Sequence, residues 1–301
     1  MQYFSIKDVE NLSGIKAHTL RIWEKRYQLV FSKRKHNNHR YFDNDDLKTI
    51  LRITYLYQND FKISQIAGLS REAILTFANI DRSPCKNSES YILQLIDAVI
   101  DFDEQRFEDL LNAAIRKFGF EKSILDIAYG VLKRIGLLWL TDHIIPAQEH
   151  FISALIRKRI ILAIESLSKV NSSGIHDVIL FTPVGEYHEI PLLFMQYLFK
   201  INGIKTTYLG SNISQEEIAY CLTKRKITHL YFHSITNLTG KTFDELIDSY
   251  KNNFPLQTLV VSGIKAVRIT VNMPKLVILK TQDEMILFPQ KLSKSQEAHN
   301  Y

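Results

Sequence analysis

The sequence predicts a multidomain chain, all-helical through its first half and alternating strand with helix through its second. Three observations carry that prediction. The chain has 301 residues, enough for two or three compact cores. Its apolar residues recur at helical spacing to about residue 168 and afterwards fall into strand-length runs. Its positive charge is concentrated: eight Lys or Arg stand against one acid between Lys16 and Arg40, a local net of +7 in a chain whose total is +6.

Composition narrows the class. A hydrophobic fraction of 46%, a charged fraction of 23%, 11 Gly and 7 Pro describe a packed globular protein and exclude disordered and collagen-like chains. No run approaches the roughly 18 to 20 apolar residues that span a bilayer, and MQYFSIKDVE has neither a basic nor an apolar leader region. The expectation is a cytoplasmic protein with no membrane partner. Cys85 and Cys221 lie far apart without a Cys-x-x-Cys partner, which argues against a disulfide framework and against a thiolate metal site.

Residues 1–78 read as a first domain. Ser5 and Asp8 form an acidic capping box before IKDVENLS, and Gly14 ends that helix. The next helix places Leu20, Trp23 and Tyr27 on one face and leaves Lys16, Thr19, Arg21, Lys25 and Arg26 largely on others. FSKRKHNNHRYF has an Asn-Asn turn between basic arms and fits a small hairpin, and Asp43 caps the helix that follows. A linker is expected at 79–90. Four helical segments joined by short connections then predict a four-helix bundle at 89–168.

After a second linker, KVNSSGIH, the runs DVILFTP, KTTYLG, THLYFHS, LQTLVVSG and KLVILK alternate with helical stretches. This predicts a flavodoxin-like, doubly wound parallel sheet at 176–290. The polar tail from about Gln290 is expected to fray.

A helix-turn-helix with a basic wing is a DNA-reading unit: its second helix enters the major groove while Lys and Arg neutralise phosphates. The order Ser5-Ile6-Lys7-Asp8, then Thr19 to Tyr27, then Arg34 and Arg40-Tyr41, resembles the winged DNA-binding domain of MerR-type transcription regulators. That resemblance implies a recognition helix carrying Thr19 and Arg21, and a wing held on DNA by Arg34, Arg40 and Tyr41. Trp23 and Tyr27 read as core.

A doubly wound sheet binds ligands at the carboxyl ends of its strands, where the strand order reverses. The loop after the first strand carries Glu186 two residues before His188, a carboxylate able to fix an imidazole's tautomer for metal ligation. The small residues Gly210, Ser234, Ser262 and Gly263 at later strand ends leave room for a ligand tail. Trp139 and the pair Glu149-His150 flank the junction of the third and fourth bundle helices.

This combination resembles the cobalamin-binding module shared by methionine synthase, corrinoid carrier proteins and the light-sensing, adenosylcobalamin-dependent MerR-type repressors of carotenoid genes. The resemblance implies that His188 ligates cobalt from below, in Glu-x-His form. It also implies that Trp139, Glu149 and His150 line the upper face, and that Ser234, Ser262 and Gly263 border the nucleotide tail. Ser262-Gly263 stands where the family commonly has Gly-Gly, the fifth strand lacks small residues, and Leu140 stands where light-sensing members can carry a cobalt-capturing His. His143 is displaced from that position by three residues.

The reading is a non-enzymatic repressor of double-stranded operator DNA. It works as a homodimer or homotetramer controlled by adenosylcobalamin. Light is the trigger that the resemblance offers, and with Leu140 at the capturing position its control is expected to be weak or absent. Two alternatives stand beside it. One is a cobalamin-independent MerR-type regulator whose α/β domain oligomerises or binds an antagonist; the other, of a different class, is a corrinoid methyl-carrier subunit, which would need no basic wing.

Overall fold

A computed structural model describes residues 3–29, 32–34, 40–80, 87–139, 146–167, 175–236, 242–264, 266, 269 and 273–298. Two compact units divide the chain, Met1–Ile156 and Arg157–Tyr301. The linkers expected at 79–90 and 169–176, and the turn at Asn37 and Asn38, fall largely outside the described residues.

In the first unit, α1 (Ile6–Ser13) starts from a reciprocal box in which Ser5 Oγ accepts from the Asp8 amide and Asp8 accepts from the Ser5 amide. It stops at Gly14, whose φ of 75° is the left-handed conformation of a C-cap. Helix α2 (Ala17–Tyr27) follows, then a two-stranded wing, β1 (Lys33–Arg34) and β2 (Arg40–Tyr41), paired antiparallel. Helix α3 (Asn44–Gln58) opens with a second reciprocal box, Asp43 with Asp46, and α4 (Ile63–Ile66) and α5 (Arg71–Ile80) complete this part.

The bundle begins with α6 (Ser88–Ile100) and α7 (Glu104–Phe118). Its third helix is composite: α8 (Phe120–Lys122), a π-helical stretch Ser123–Ala128, and α9 (Tyr129–Trp139). Helix α10 (Pro146–Ser166) is the fourth, and its Phe151 packs edge to face on Phe102 with ring centres 5.3 Å apart.

Helices α1 and α3 and the bundle share one core. Phe4, Leu12 and Leu47 meet Ile96, Val99, Ile100, Ile135 and Gln148 around a void of only about 10 Å³. Charges reinforce the seam. Asp97 on α6, 2% exposed, takes Arg106 at 2.7 Å and Arg52 of α3 at 3.3 Å. Arg134 of α9 donates to the Leu12 carbonyl at the end of α1 (2.9 Å) and to Glu89 (2.5 Å).

The second unit is a five-stranded, all-parallel sheet in the order β4-β3-β5-β6-β7. Its strands are β3 (Asp177–Pro183), β4 (Lys205–Ile213), β5 (His229–His233), β6 (Thr258–Ser262) and β7 (Leu276–Leu279). Helices α11 (Ile190–Ile201), α12 (Gln215–Lys224), α13 (Phe243–Asn253) and α14 (Gln282–Ala298) cover both faces. Hence β3 and β5 are buried along their whole length and read as continuous apolar runs. Ile179, Phe181, Leu230 and Phe232 pack with Ile218 of α12 and Ile247 of α13. Tyr231 turns to the other face, against Phe199 of α11.

One expectation is overturned. The tail from Gln290 does not fray but continues α14 to Ala298. Met285, Phe288 and Leu292 recur at helical spacing and are buried, and Ser295 bonds His176 at 2.8 Å, so one side of a polar-looking segment is anchored. Among the described residues no helix is long and apolar enough to cross a membrane.

Candidate functional site

Two regions bear on function. The first is the outward face of α2. Leu20 and Trp23 are buried while Arg21, Lys25 and Arg26 are exposed, so the helix turns its cations away from the core. Tyr27 is only half-buried, under the Arg26 guanidinium at 5.4 Å. Lys16 is the N-cap residue and pairs with Glu10 at 3.0 Å, and Thr19 lies partly buried beside His18.

The wing is fastened to this helix. Arg40 of β2 pairs with Glu24 of α2 at 3.3 Å, and Glu24 also accepts from the Ser32 amide at 3.1 Å. Tyr41 rests edge to face on Tyr3, 4.8 Å between ring centres. Lys33 is tied to Asp43 and Asp46. Three of the cations behind the local +7 are therefore partnered within the fold. Arg34 lies in β1 with its side chain outside the described residues.

The second region is where the sheet's strand order reverses, at the carboxyl ends of β3 and β5. Glu186, with a side chain only 3% exposed, receives the His188 ring through Nδ1 at 2.5 Å and the His188 amide at 3.1 Å on one oxygen. Its other oxygen accepts from the Ile235 and Thr236 amides, both at 2.7 Å, and from Thr236 Oγ1 at 3.2 Å. Burial alone pushes this carboxyl up, but the bonds from His188, Thr236 and Ile235 outweigh it and hold the pKa at about 2. The carboxylate is thus permanently charged, and a charged acceptor fixes the proton of the imidazole on Nδ1. The ring itself is half in solvent, at 51% exposure.

Neighbouring contacts hold this loop in place. Thr182 Oγ1 donates to the Glu186 carbonyl at 2.5 Å and accepts from the Asn212 amide at 3.0 Å, and Asn212 Oδ1 accepts from the Gly185 amide at 2.8 Å. Glu189 accepts from Arg157 (2.7 Å) and Tyr208 (3.0 Å). Thr182, Asn212, Ile235 and Thr236 escaped the sequence reading. Asn212, Ile235 and Thr236 act at least in part through backbone amides, which carry no residue-type signal.

The small residues divide by role. Gly210, at φ 94°, sits at a break in register of β4 against β3, and a Cβ there would meet only Tyr208 at 3.9 Å, so the space beside it is open. Gly263, at φ 107°, is required by close backbone approach: a Cβ would fall 2.2 Å from the Ser234 carbonyl oxygen. Ser262 Oγ is drawn to Tyr231 (2.5 Å) and to buried His233 (2.8 Å), and Ser234 is buried beside Glu186. The donor set and the open space at Gly210 fit a ligand whose metal takes one protein imidazole.

In the first unit, Glu149 accepts from Ser153 at 2.7 Å and lies 3.3 Å from the exposed ring of His150. Trp139 ends α9 with its side chain outside the described residues, and Leu140 and His143 also lie outside them.

Residues 4–73 match the MerR HTH family regulatory protein model, and residues 91–163 match the B12 binding domain model. The chain is 21% identical over 273 residues to the HTH-type transcriptional repressor CarH of Myxococcus xanthus, covering 88% of this chain and 90% of that protein. It is 25% identical over 209 residues to the HTH-type transcriptional repressor CarA of the same organism, covering 69% and 68%. Among solved structures, the Methanosarcina barkeri monomethylamine corrinoid protein is similar in fold, with a TM-score of 0.54 at 15% identity over 68% of this chain and all of that one.

Proposed function

We propose, from the premise that this chain joins a MerR-type helix-turn-helix to a B12-binding domain and is homologous to the CarH and CarA repressors, that it is a transcriptional repressor whose grip on operator DNA is set by cobalamin. One observation carries the ligand half: an imidazole at the strand-order reversal, held through Nδ1 by a buried, bonded carboxylate.

A cobalamin bound there would supply a cobalt centre able to take a protein imidazole. His188 would hold it through Nε2, and Glu186 would fix the tautomer and aim of the ring. Gly210 leaves open space for the tail, and Ser234, Ser262 and Gly263 shape the strand ends that border it. Trp139, Glu149 and His150 are the residues offered to the upper group, adenosyl in this reading. Ligand preference for one arrangement of a homodimer or homotetramer shifts the population able to engage DNA, and several DNA domains acting together add avidity. The protein works in the cytoplasm and changes no bond in a substrate. Leu140 offers no second imidazole, so light control is weak or absent.

The test is gel filtration with adenosylcobalamin in the dark, followed by the absorbance spectrum and a DNA mobility shift before and after illumination. Wild type retains the cofactor and His188→Ala loses it or changes its spectrum. Equal retention and identical spectra remove the ligand role of His188. A wild type that shifts DNA but retains no cofactor supports the cobalamin-independent regulator instead. Complete loss of DNA binding in light overturns the assignment made for Leu140.

A further inference from the structure

We infer that Ile22 is a base-reading residue, contacting the C5-methyl group of a thymine in the major groove and so setting part of the operator sequence. This rests on the DNA-reading role proposed for α2.

The observation is one aliphatic side chain in a polar stripe. His18, Arg21, Ile22 and Lys25 stand at i, i+3, i+4 and i+7 on α2, and all four are exposed. They share one face, opposite buried Leu20 and Trp23. Ile22 is 50% exposed. A single exposed apolar residue on an ordinary surface means little, but this surface is the one that the winged architecture turns toward DNA.

Leu75 of α5 is exposed on another helix, and the exposed aromatic side chains of this part are accounted for differently. Tyr3 rests on Tyr41, Tyr57 on Trp23 and Phe77 on Phe61, so each shields part of its ring against another. A β-branched residue also gains nothing from helix propensity at an exposed site.

The chemistry of the groove limits what Ile22 can read. It neither donates nor accepts a hydrogen bond, so the edges of guanine, adenine and cytosine give it nothing specific. Thymine presents a methyl group there, and apolar contact with that methyl is the direct readout open to an aliphatic side chain. Arg21 and Lys25, flanking it, supply phosphate or guanine contacts that fix the helix in register. Thymine preference is then carried by Ile22, while affinity at low salt is carried by its neighbours.

The full-length chain is used to select duplexes from a random-sequence pool, and the selected motif is resynthesised with deoxyuridine replacing thymine one position at a time. Wild type is expected to lose about fourfold in affinity at one thymine per half-site, the value of one buried methyl group. Ile22→Ala binds thymine and deoxyuridine equally there, and Ile22→Val, which keeps a branched methyl pair, retains the preference. An Ile22→Ala protein with undiminished thymine preference overturns the inference, as does a wild-type motif insensitive to every methyl removal. A wild type that selects no motif removes the DNA-reading assignment itself, a result distinct from either.

Discussion

On α2 the cations stand outward, and those with partners share partly exposed acids: Lys16 with Glu10 at 3.0 Å and, from the wing, Arg40 with Glu24 at 3.3 Å. At the loop after β3 the reverse arrangement holds, for a single carboxylate is buried and collects bonds from His188, Ile235 and Thr236. Surface pairs of the first kind are worth about 0 to 1 kcal/mol and exchange readily with phosphate. Removing a buried acceptor instead leaves several donors unsatisfied at once. One region is therefore cheap to rearrange and suited to a polyanion that comes and goes. The other is rigid and suited to holding one imidazole in one orientation.

The comparison breaks most directly at Glu186. Glu186→Ala orphans the Ile235 and Thr236 amides and the His188 ring, and it should cost the second unit about 2 to 4 kcal/mol. Urea unfolding followed by circular dichroism measures this. A loss under about 0.5 kcal/mol, the ordinary range for surface changes, would show that the loop is not held by this residue.

A second test uses acid. Burial lowers the pKa of His233 to about 4 and, aided by nearby His176, that of His229 to about 4, against 6.5 in the unfolded chain. Between these values the unfolded state binds more protons, so stability is fully present above 6.5 and falls as pH drops toward 4. Glu186 acts in a lower window, from 4.5 down to about 2. Unfolding at pH 7 and pH 5 should show the wild type weaker at pH 5, with a smaller difference in His233→Asn. An unchanged difference would mean that His233 does not titrate in this way.

The seam between the DNA-type helices and the bundle gives the third. Arg134→Ala removes the donor to the Leu12 carbonyl and the partner of Glu89, two contacts of a largely buried guanidinium. Amide exchange in the α1 to α2 turn should rise, with a loss of about 1 kcal/mol in the first unit. Unchanged protection of Ser13 to Lys16 would show that the seam at this turn does not depend on Arg134.

Local signals were the legible ones. Ser5 with Asp8, three residues apart, and Asp43 as a cap announce two helix starts, while the answering carboxylate of Asp46 shows only in the structure. The inner strands β3 and β5 announce themselves because a sheet covered on both faces demands apolar runs, whereas edge strand β4 shows only a short one within a partly exposed stretch. Glu186 and His188 could be paired by spacing alone. What stayed hidden depends on distant partners. Ser262 reads only as a small residue at a strand end, and the partners of its hydroxyl, Tyr231 and His233, appear only in the fold. The Gln290 tail reads as frayed because its anchoring partner, His176, is over a hundred residues away. Arg40 reads as a free cation because the acid that engages it belongs to the preceding helix.

The pairing of Arg40 leads to the smallest effect and separates two cations that sequence treats alike. Arg21 is exposed on α2, whereas Arg40 is engaged by Glu24 and must release it to meet a phosphate. Each phosphate neutralised contributes about 0.9 to the slope of log affinity against log salt on duplex DNA. Arg21→Ala should flatten the slope by about that amount and leave unfolding within about 0.5 kcal/mol of wild type. Arg40→Ala should weaken binding as well, but flatten the slope less, because the wild-type side chain trades one anionic partner for another. Its larger consequence is on the wing, which keeps only the Ser32 contact with Glu24 as its tie to that residue of α2. Mobility shifts across a salt series, with both variants on one duplex, measure the two slopes. Equal flattening would show that the Glu24 contact is broken before DNA arrives and that the wing cations act as freely as those on the helix.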